Sequence, residues 1–209
     1  PEQRLNEAVE RVLAVKRRFL PALPPAEGEP WLDPVHDALE QEIARASITV
    51  VKAASPKGYL LQPGESLALV SAHHSLPRLA EEVRRYQPEV MVVALSPDLP
   101  ASQVQEALER GSAAQRCVVA TAPPEPWSDH PIDQLRQAEL VRALHRRFGK
   151  RLVVVALREP YDIRAFPQVA NYLCTYGYRP CSLRALADAL FGRFLPTGRL
   201  PVSEVGLLP

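Results

Sequence analysis

The sequence predicts an α/β fold, a three-layer αβα sandwich around a mostly parallel six-stranded sheet, with a helical arm at the amino end. Apolar strand patterns alternate with amphipathic helix patterns, which is typical of a parallel sheet covered by helices. Two strand candidates, residues 90–94 and 152–156, are apolar at every position, as expected for strands buried on both faces. With 46% hydrophobic and 23% charged residues, the 209-residue chain has a globular composition.

The helical arm is predicted from residues 3–20. Their apolar side chains recur at helical spacing and form one stripe, which comprises Leu5, Ala8, Val9, Val12, Leu13, Phe19 and Leu20. Prolines end this pattern, and residues 21–30 indicate a stiff linker. We therefore divide the chain into an arm with its linker, residues 1–30, and a sandwich domain, residues 31–209. An uncovered apolar stripe favours self-association, so residues 3–20 are the expected contact of a homo-oligomer.

The sandwich domain is predicted to alternate strands with helices. The strand candidates are residues 47–53, 67–72, 90–95, 117–122, 152–157 and 170–175. The helix candidates are residues 34–46, 76–86, 101–110, 132–148 and 183–191. Apolar strand positions should be buried between the helix layers. Those expected to be buried are Val92, Val93, Val119, Val153, Val154 and Val155.

The connection between the first two strands differs from the others. Residues 54–66 contain proline and glycine and lack helical periodicity. A parallel crossover usually needs a helix, and none is indicated here. We therefore predict that the first strand is antiparallel and lies at the sheet edge.

Composition and motifs exclude several classes of function. A formal net charge of +1 gives no basis for binding nucleic acid or an anionic membrane, and no apolar run reaches the ~20 residues that span a bilayer. The phosphate loops GxGxxG and GxxxxGK[ST] are missing from the sequence, as are the zinc motifs HExxH and paired CxxC. We therefore predict neither a cofactor nor a metal.

Cysteine usage favours a reducing compartment, the cytoplasm, because three cysteines cannot form a paired disulfide framework. Cys117 lies in an apolar strand and is interpreted as an inert core thiol. Cys174 and Cys181 flank a turn and are interpreted as free thiols, with a disulfide bond as the alternative.

Two adjacent histidines, His73 and His74, follow the second strand, at the end where α/β sheets place ligands. Adjacent side chains in extended chain point in opposite directions, which disfavours a shared metal ion. Ser75 and Pro77 are typical of a helix start, so a structural role is the favoured interpretation.

The loops after the fourth and fifth strands carry the main candidate site. Its residues are Glu125, Trp127, Asp129, Arg158, Tyr161 and Asp162, with His73 and His74 beside them. In a mostly parallel sheet these loops share one rim, where carboxylates and aromatic rings suit a sugar through stacking and hydrogen bonds to hydroxyl groups. The alternative is structural: Asp162 caps a turn or pairs with Arg158, and Trp127 covers the sheet edge or meets a neighbouring domain.

The order of motifs in the last quarter of the chain resembles a known family. Pro160-Tyr161-Asp162 precedes Tyr172-Leu173-Cys174-Thr175-Tyr176-Gly177, Leu190-Phe191-Gly192 and Pro196-Thr197-Gly198-Arg199-Leu200-Pro201-Val202. This succession resembles the carboxyl-terminal αβα domain of glycoside hydrolase family 3, especially its β-N-acetylhexosaminidase branch. Residues 34–52 resemble that domain's first helix and strand, so the resemblance spans residues 34–203.

The resemblance implies a non-catalytic domain. In the family the nucleophilic aspartate belongs to a barrel, which would precede residue 1, and in the hexosaminidase branch a barrel histidine in a Lys-His-Phe-Pro-Gly-type motif is the acid/base. Neither motif occurs here. The β-glucosidase branch places an acid/base glutamate in this second domain, but its surrounding motif is missing and Glu125 merely occupies a comparable loop. No catalytic residue is predicted, and the chain alone is expected to be inactive.

The expected function is that of the second domain of a retaining β-N-acetylhexosaminidase-type glycoside hydrolase, supporting the barrel and lining part of the sugar cleft. The implied partners are that barrel and an N-acetylglucosamine-containing glycan. The main alternative is a stand-alone, non-catalytic carbohydrate-binding or scaffold domain. A flavodoxin-like ligand binder is a third reading, disfavoured by the missing phosphate loops.

Overall fold

The structure, a computed structural model, describes residues 1–20, 34–125 and 127–202. It divides into two compact units, Pro1–Ala38 and Leu39–Pro209. The helices are α1 Glu2–Phe19, α2 Pro34–Ser47, α3 Leu76–Arg84, α4 Ala101–Gly111, α5 Gln134–Phe148 and α6 Pro180–Leu190. The strands are β1 Thr49–Lys52, β2 Leu67–Ser71, β3 Val90–Ala94, β4 Arg116–Thr121, β5 Leu152–Ala156 and β6 Tyr172–Cys174. Short 3-10 helices cover Gly149–Arg151 and Pro160–Ala165.

The six strands form one sheet in the order β1-β6-β5-β4-β2-β3. Neighbouring strands are parallel except β1, which runs antiparallel to β6 at the edge. This confirms the prediction for the first strand. The connection of residues 53–66 contains turns and no helix, so it cannot carry the chain across a sheet face.

Two helix layers cover the sheet and confirm the αβα sandwich. Helix α3 packs beside α6, and α4 packs beside α5. The chain crosses from β2 to β3 through α3 and returns to β4 through α4, so right-handed crossovers place these two helices on opposite faces. The predicted elements are all present; α6 begins before the predicted position 183 because Pro180 is accommodated in its first turn.

The burial of the strand valines follows from strand position. Val93, Val119, Val153, Val154 and Val155 are buried, as predicted. The prediction for Val92 is wrong, because this residue is only half-buried. It lies on β3, which is an edge strand and has a neighbouring strand on one side only.

The apolar stripe of α1 is exposed to solvent. Its residues Leu5, Val9, Val12, Leu13 and Phe19 are each 40–65% exposed. Self-association through this helix stays a prediction. The predicted linker, residues 21–30, lies outside the described residues. None of the helices in the described ranges is both long and apolar enough to cross a membrane.

The tail motif around Gly198 packs against the start of β1. The Gly198 N–H donates to the Ile48 carbonyl at 3.1 Å. A Cβ at this position would lie 2.5 Å from the Ser47 carbonyl oxygen and from Thr49 Oγ1. Only glycine allows the tail backbone to approach the edge strand this closely.

Candidate functional site

The carboxyl ends of β2 and β4 meet at the point where the order of strands reverses. From β2 the chain moves to β3 on one side, whereas from β4 it moves to β5 on the other. Open α/β sheets bind ligands at such a switch point. A pocket of about 320 Å³ lies there. It is lined by Ala72, His73, His74, Pro97, Glu125, Ser128, His130, Pro131 and Ile132.

His73 and His74 lie side by side at this pocket. Their ring centroids are 4.1 Å apart, and the ring of Tyr178 lies 4.7 Å from that of His73. The expectation that the two histidines point in opposite directions is wrong. Strand β2 ends at Ser71, and the chain then bends instead of continuing in extended form, which turns both rings the same way.

The ring of His73 is buried, and hydrogen bonds to residues at the end of β2 and in the following turn fix its position. Its backbone N–H donates to Ser71 Oγ at 3.0 Å, and Ser71 Oγ in turn donates to the Ala120 carbonyl. Its Nδ1 lies 2.7 Å from Ser75 Oγ. Burial and the neighbouring His74 lower the pKa of His73 to about 4, against the opposing effect of Glu125. His73 is therefore neutral at pH 7.

Glu125 faces His73 across the pocket floor. Its Oε1 lies 3.7 Å from His73 Nε2, which is too far for a hydrogen bond. Both atoms are buried and lack a hydrogen-bond partner among the described residues, as does Nη1 of nearby Arg158. Buried polar groups without partners cost free energy, so their convergence indicates a place where a ligand or water binds.

Tyr178 lies beside the histidine pair, with its ring 4.7 Å from that of His73 and 5.3 Å from that of His74. The nearby Glu125 carboxylate, together with partial burial, raises the pKa of the Tyr178 phenol. Sequence reasoning missed Tyr178, because it lies in the turn beyond β6 and follows no pattern that marks a site. Only the pairing of β6 with β5 shows that the turn carrying Tyr178 lies beside the histidine pair.

Trp127 and Arg158 form a stacked pair near the pocket, and neither belongs to its lining. Trp127 is 67% exposed, and the Arg158 guanidinium carbon lies 5.3 Å from the centre of its ring. This stacking holds an aromatic face toward solvent beside a charged donor. Asp129 lies exposed in the same loop.

Asp162 is half-buried, and its carboxyl group binds two side chains of the core. Its two oxygens accept hydrogen bonds from Thr121 Oγ1 and from the Tyr172 hydroxyl. Burial raises the pKa of Asp162, although both hydrogen bonds act in the opposite direction. The alternative of an Arg158–Asp162 ion pair is wrong, because Asp162 binds these two hydroxyl groups while Arg158 stacks on Trp127.

Five of the six predicted site residues therefore separate into two groups, and the sixth, Asp129, is exposed in the loop that carries Trp127. Glu125, Trp127 and Arg158 meet at the switch point. Tyr161 and Asp162 instead line a second hollow of about 300 Å³ beside the first turn of α5. Tyr161 is 44% exposed there and lies beside Arg164.

No protein-family model and no curated protein sequence matches this chain. Solved structures of glycoside hydrolase family 3 enzymes do share its fold. A fungal multi-domain β-N-acetylglucosaminidase aligns at a TM-score of 0.75 and 22% identity, over 95% of this chain and 23% of its own. The β-N-acetylglucosaminidase of Paenibacillus sp. FPU-7 aligns at 0.75 and 23% identity, over 96% of this chain and 39% of its own.

A β-glucosidase from Listeria innocua aligns at a TM-score of 0.69 and 17% identity, over 94% of this chain and 32% of its own. The chain thus spans less than two fifths of the length of each of these three enzymes. At these identities the similarity establishes the fold, which is that of one part of family 3 glycoside hydrolases.

Proposed function

We propose that this chain is the non-catalytic second domain of a retaining β-N-acetylhexosaminidase-type glycoside hydrolase, and that its switch-point pocket contacts the glycan. The observation that carries the proposal is the match of nearly the whole chain to a minor part of family 3 enzymes. Two of these are β-N-acetylglucosaminidases, and both align at a higher TM-score than the β-glucosidase.

The chemistry of the pocket supports a sugar as its ligand. The exposed Trp127 ring offers a stacking surface for the apolar face of a pyranose. Glu125 Oε1 and Arg158 Nη1 are an acceptor and a donor without partners, which suits hydroxyl or acetamido groups. The glycan would thus be held by stacking on Trp127 and by hydrogen bonds to Glu125 and Arg158.

A stand-alone scaffold domain is the second candidate function. A sugar-binding measurement distinguishes it from the second domain of a glycoside hydrolase. A scaffold needs no glycan contact, whereas a cleft wall does.

We also propose a cytoplasmic location, which is supported by the free thiols of Cys117, Cys174 and Cys181.

Titration of the chain with N,N′-diacetylchitobiose, followed by amide NMR shifts, tests the glycan contact. We expect saturable shifts at the switch-point pocket. Trp127→Ala should weaken binding about two- to tenfold, because an aromatic stacking contact is worth roughly 0.5–1.5 kcal/mol. Tyr161→Ala is the matched control, since it removes an exposed aromatic ring at the second hollow and should leave the affinity unchanged. Equal affinities of wild type and Trp127→Ala, or the absence of binding, would favour the scaffold.

A further inference from the structure

Three metal-ligating side chains converge on the floor of the switch-point pocket. His73, His74 and Glu125 each offer one ligand atom, and these atoms all lie within 4.8 Å of one another. Two imidazole nitrogens and one carboxylate oxygen form a donor set that proteins use for Zn²⁺ with an open coordination position. We propose that this cluster binds a zinc ion whose open position faces the pocket. The proposal does not rest on the glycan contact, although both use the Oε1 atom of Glu125.

The spacing of the buried pair fits a shared ion. His73 Nε2 and Glu125 Oε1 are 3.7 Å apart. Ligand atoms at ~2.0–2.2 Å from a tetrahedral zinc lie about 3.4 Å from each other, so the pair needs to close by only a few tenths of an ångström. His74 is exposed, and its ligand nitrogen already lies within 4.8 Å of the other two ligand atoms.

The burial of these atoms supplies the second, independent observation. Only 2% of the His73 side chain and 13% of the Glu125 side chain are exposed. The two facing atoms are also unpartnered among the described residues. A cation between them would satisfy both groups at once, whereas their direct contact satisfies neither.

Ser75 supplies the outer-shell contact that a metal-binding imidazole needs. Coordination through Nε2 requires the proton on Nδ1, and Ser75 Oγ lies 2.7 Å from that nitrogen as its acceptor. Without a cation, the Ser75 backbone N–H at 3.2 Å favours the proton on Nε2. Zinc binding therefore involves a change of tautomer, in which the proton leaves Nε2 and another is taken up at Nδ1.

Arg158 acts against a cation at this site. Its guanidinium group lies over Trp127 and carries an unpartnered Nη1 near the pocket. Removal of that charge without loss of the ligands should strengthen zinc binding. This effect distinguishes a specific zinc site from nonspecific coordination by surface residues, for which the zinc affinity would not depend on Arg158.

The test is a competition titration of the tag-free chain with Zn²⁺ against a chromogenic chelator. We expect one equivalent to bind, with His74→Ala and Glu125→Gln each weakening binding about tenfold or more, since the loss of even an outer-shell contact costs 10–100-fold. Arg158→Gln should bind severalfold more tightly. Ca²⁺ should not compete, because it prefers oxygen ligands.

Asp129→Asn is the matched control, because it neutralises an exposed carboxylate in the same loop and should leave zinc affinity unchanged. Far-UV circular dichroism verifies folding, and His74→Ala alters only an exposed side chain. The proposal is overturned if the chain binds no zinc, if His74→Ala binds as tightly as wild type, or if Asp129→Asn weakens binding as much as Glu125→Gln. It is supported if His74→Ala and Glu125→Gln weaken zinc binding, Asp129→Asn leaves it unchanged and Arg158→Gln tightens it.

Discussion

Replacement of Asp162 by alanine is expected to lower the free energy of unfolding by at least about 1–3 kcal/mol, because it leaves the buried Tyr172 hydroxyl without an acceptor. Thr121 Oγ1 would keep only its weaker, 3.4 Å hydrogen bond to the Val155 carbonyl. Thr121 and Tyr172 are both fully buried, and both donate to the Asp162 carboxyl group. The carboxyl group links β4, β6 and the 3-10 helix that follows β5, so its loss acts on three elements at once.

Urea unfolding followed by circular dichroism measures this effect. Tyr161→Ala is the control, since it truncates the adjacent, partly exposed residue and should cost far less. A double-mutant cycle with Tyr172→Phe should show strong coupling. If Asp162→Ala unfolds at the wild-type urea concentration, the carboxyl group does not hold these strands together and a role at the surface must be reconsidered.

Replacement of Val154 by alanine is expected to cost about 1–3 kcal/mol, because it removes buried contacts and leaves a void in a close-packed core. Val154 is fully buried on β5, which has paired neighbours on both sides. Val92→Ala is the matched control: the same atoms are removed from the edge strand β3, where the side chain is only half-buried.

The ratio of the two effects is the decisive quantity, and it is measured from urea midpoints under identical conditions. We expect the Val154 variant to lose clearly more stability than the Val92 variant. Equal losses would show that β5 and β3 are equally covered, contrary to the strand order.

The layered fold could be predicted because its signal is local. Continuous apolar runs such as residues 152–156 identify strands buried on both faces, and the lack of a helix between Lys52 and Leu67 indicates the antiparallel edge. The half-burial of Val92 could not be predicted in this way. Its sequence resembles a central strand, and only the strand order shows that β3 lies at an edge.

The site was less predictable, because it depends on where strands end and where loops turn. The assignment of Glu125, Trp127 and Arg158 to neighbouring loops placed them at one rim. It could not separate Asp162, whose carboxyl group binds the buried hydroxyl groups of Thr121 and Tyr172. The directions of the two histidines could not be predicted, because the inference assumed extended chain through His74, whereas β2 ends at Ser71 and the chain then bends. Tyr178 comes from a turn with no diagnostic pattern.

Hydrolysis of an aryl β-N-acetylglucosaminide tests the central claim most directly. The assay compares this chain alone with the gene product that includes whatever its natural coding sequence places before residue 1. Glycoside hydrolysis requires two positioned groups at the scissile bond, and we assign neither to this chain. We predict no turnover by the chain alone and turnover by the longer product. Turnover by the chain alone that survives repurification and is abolished by Glu125→Gln would contradict the assignment of a non-catalytic second domain.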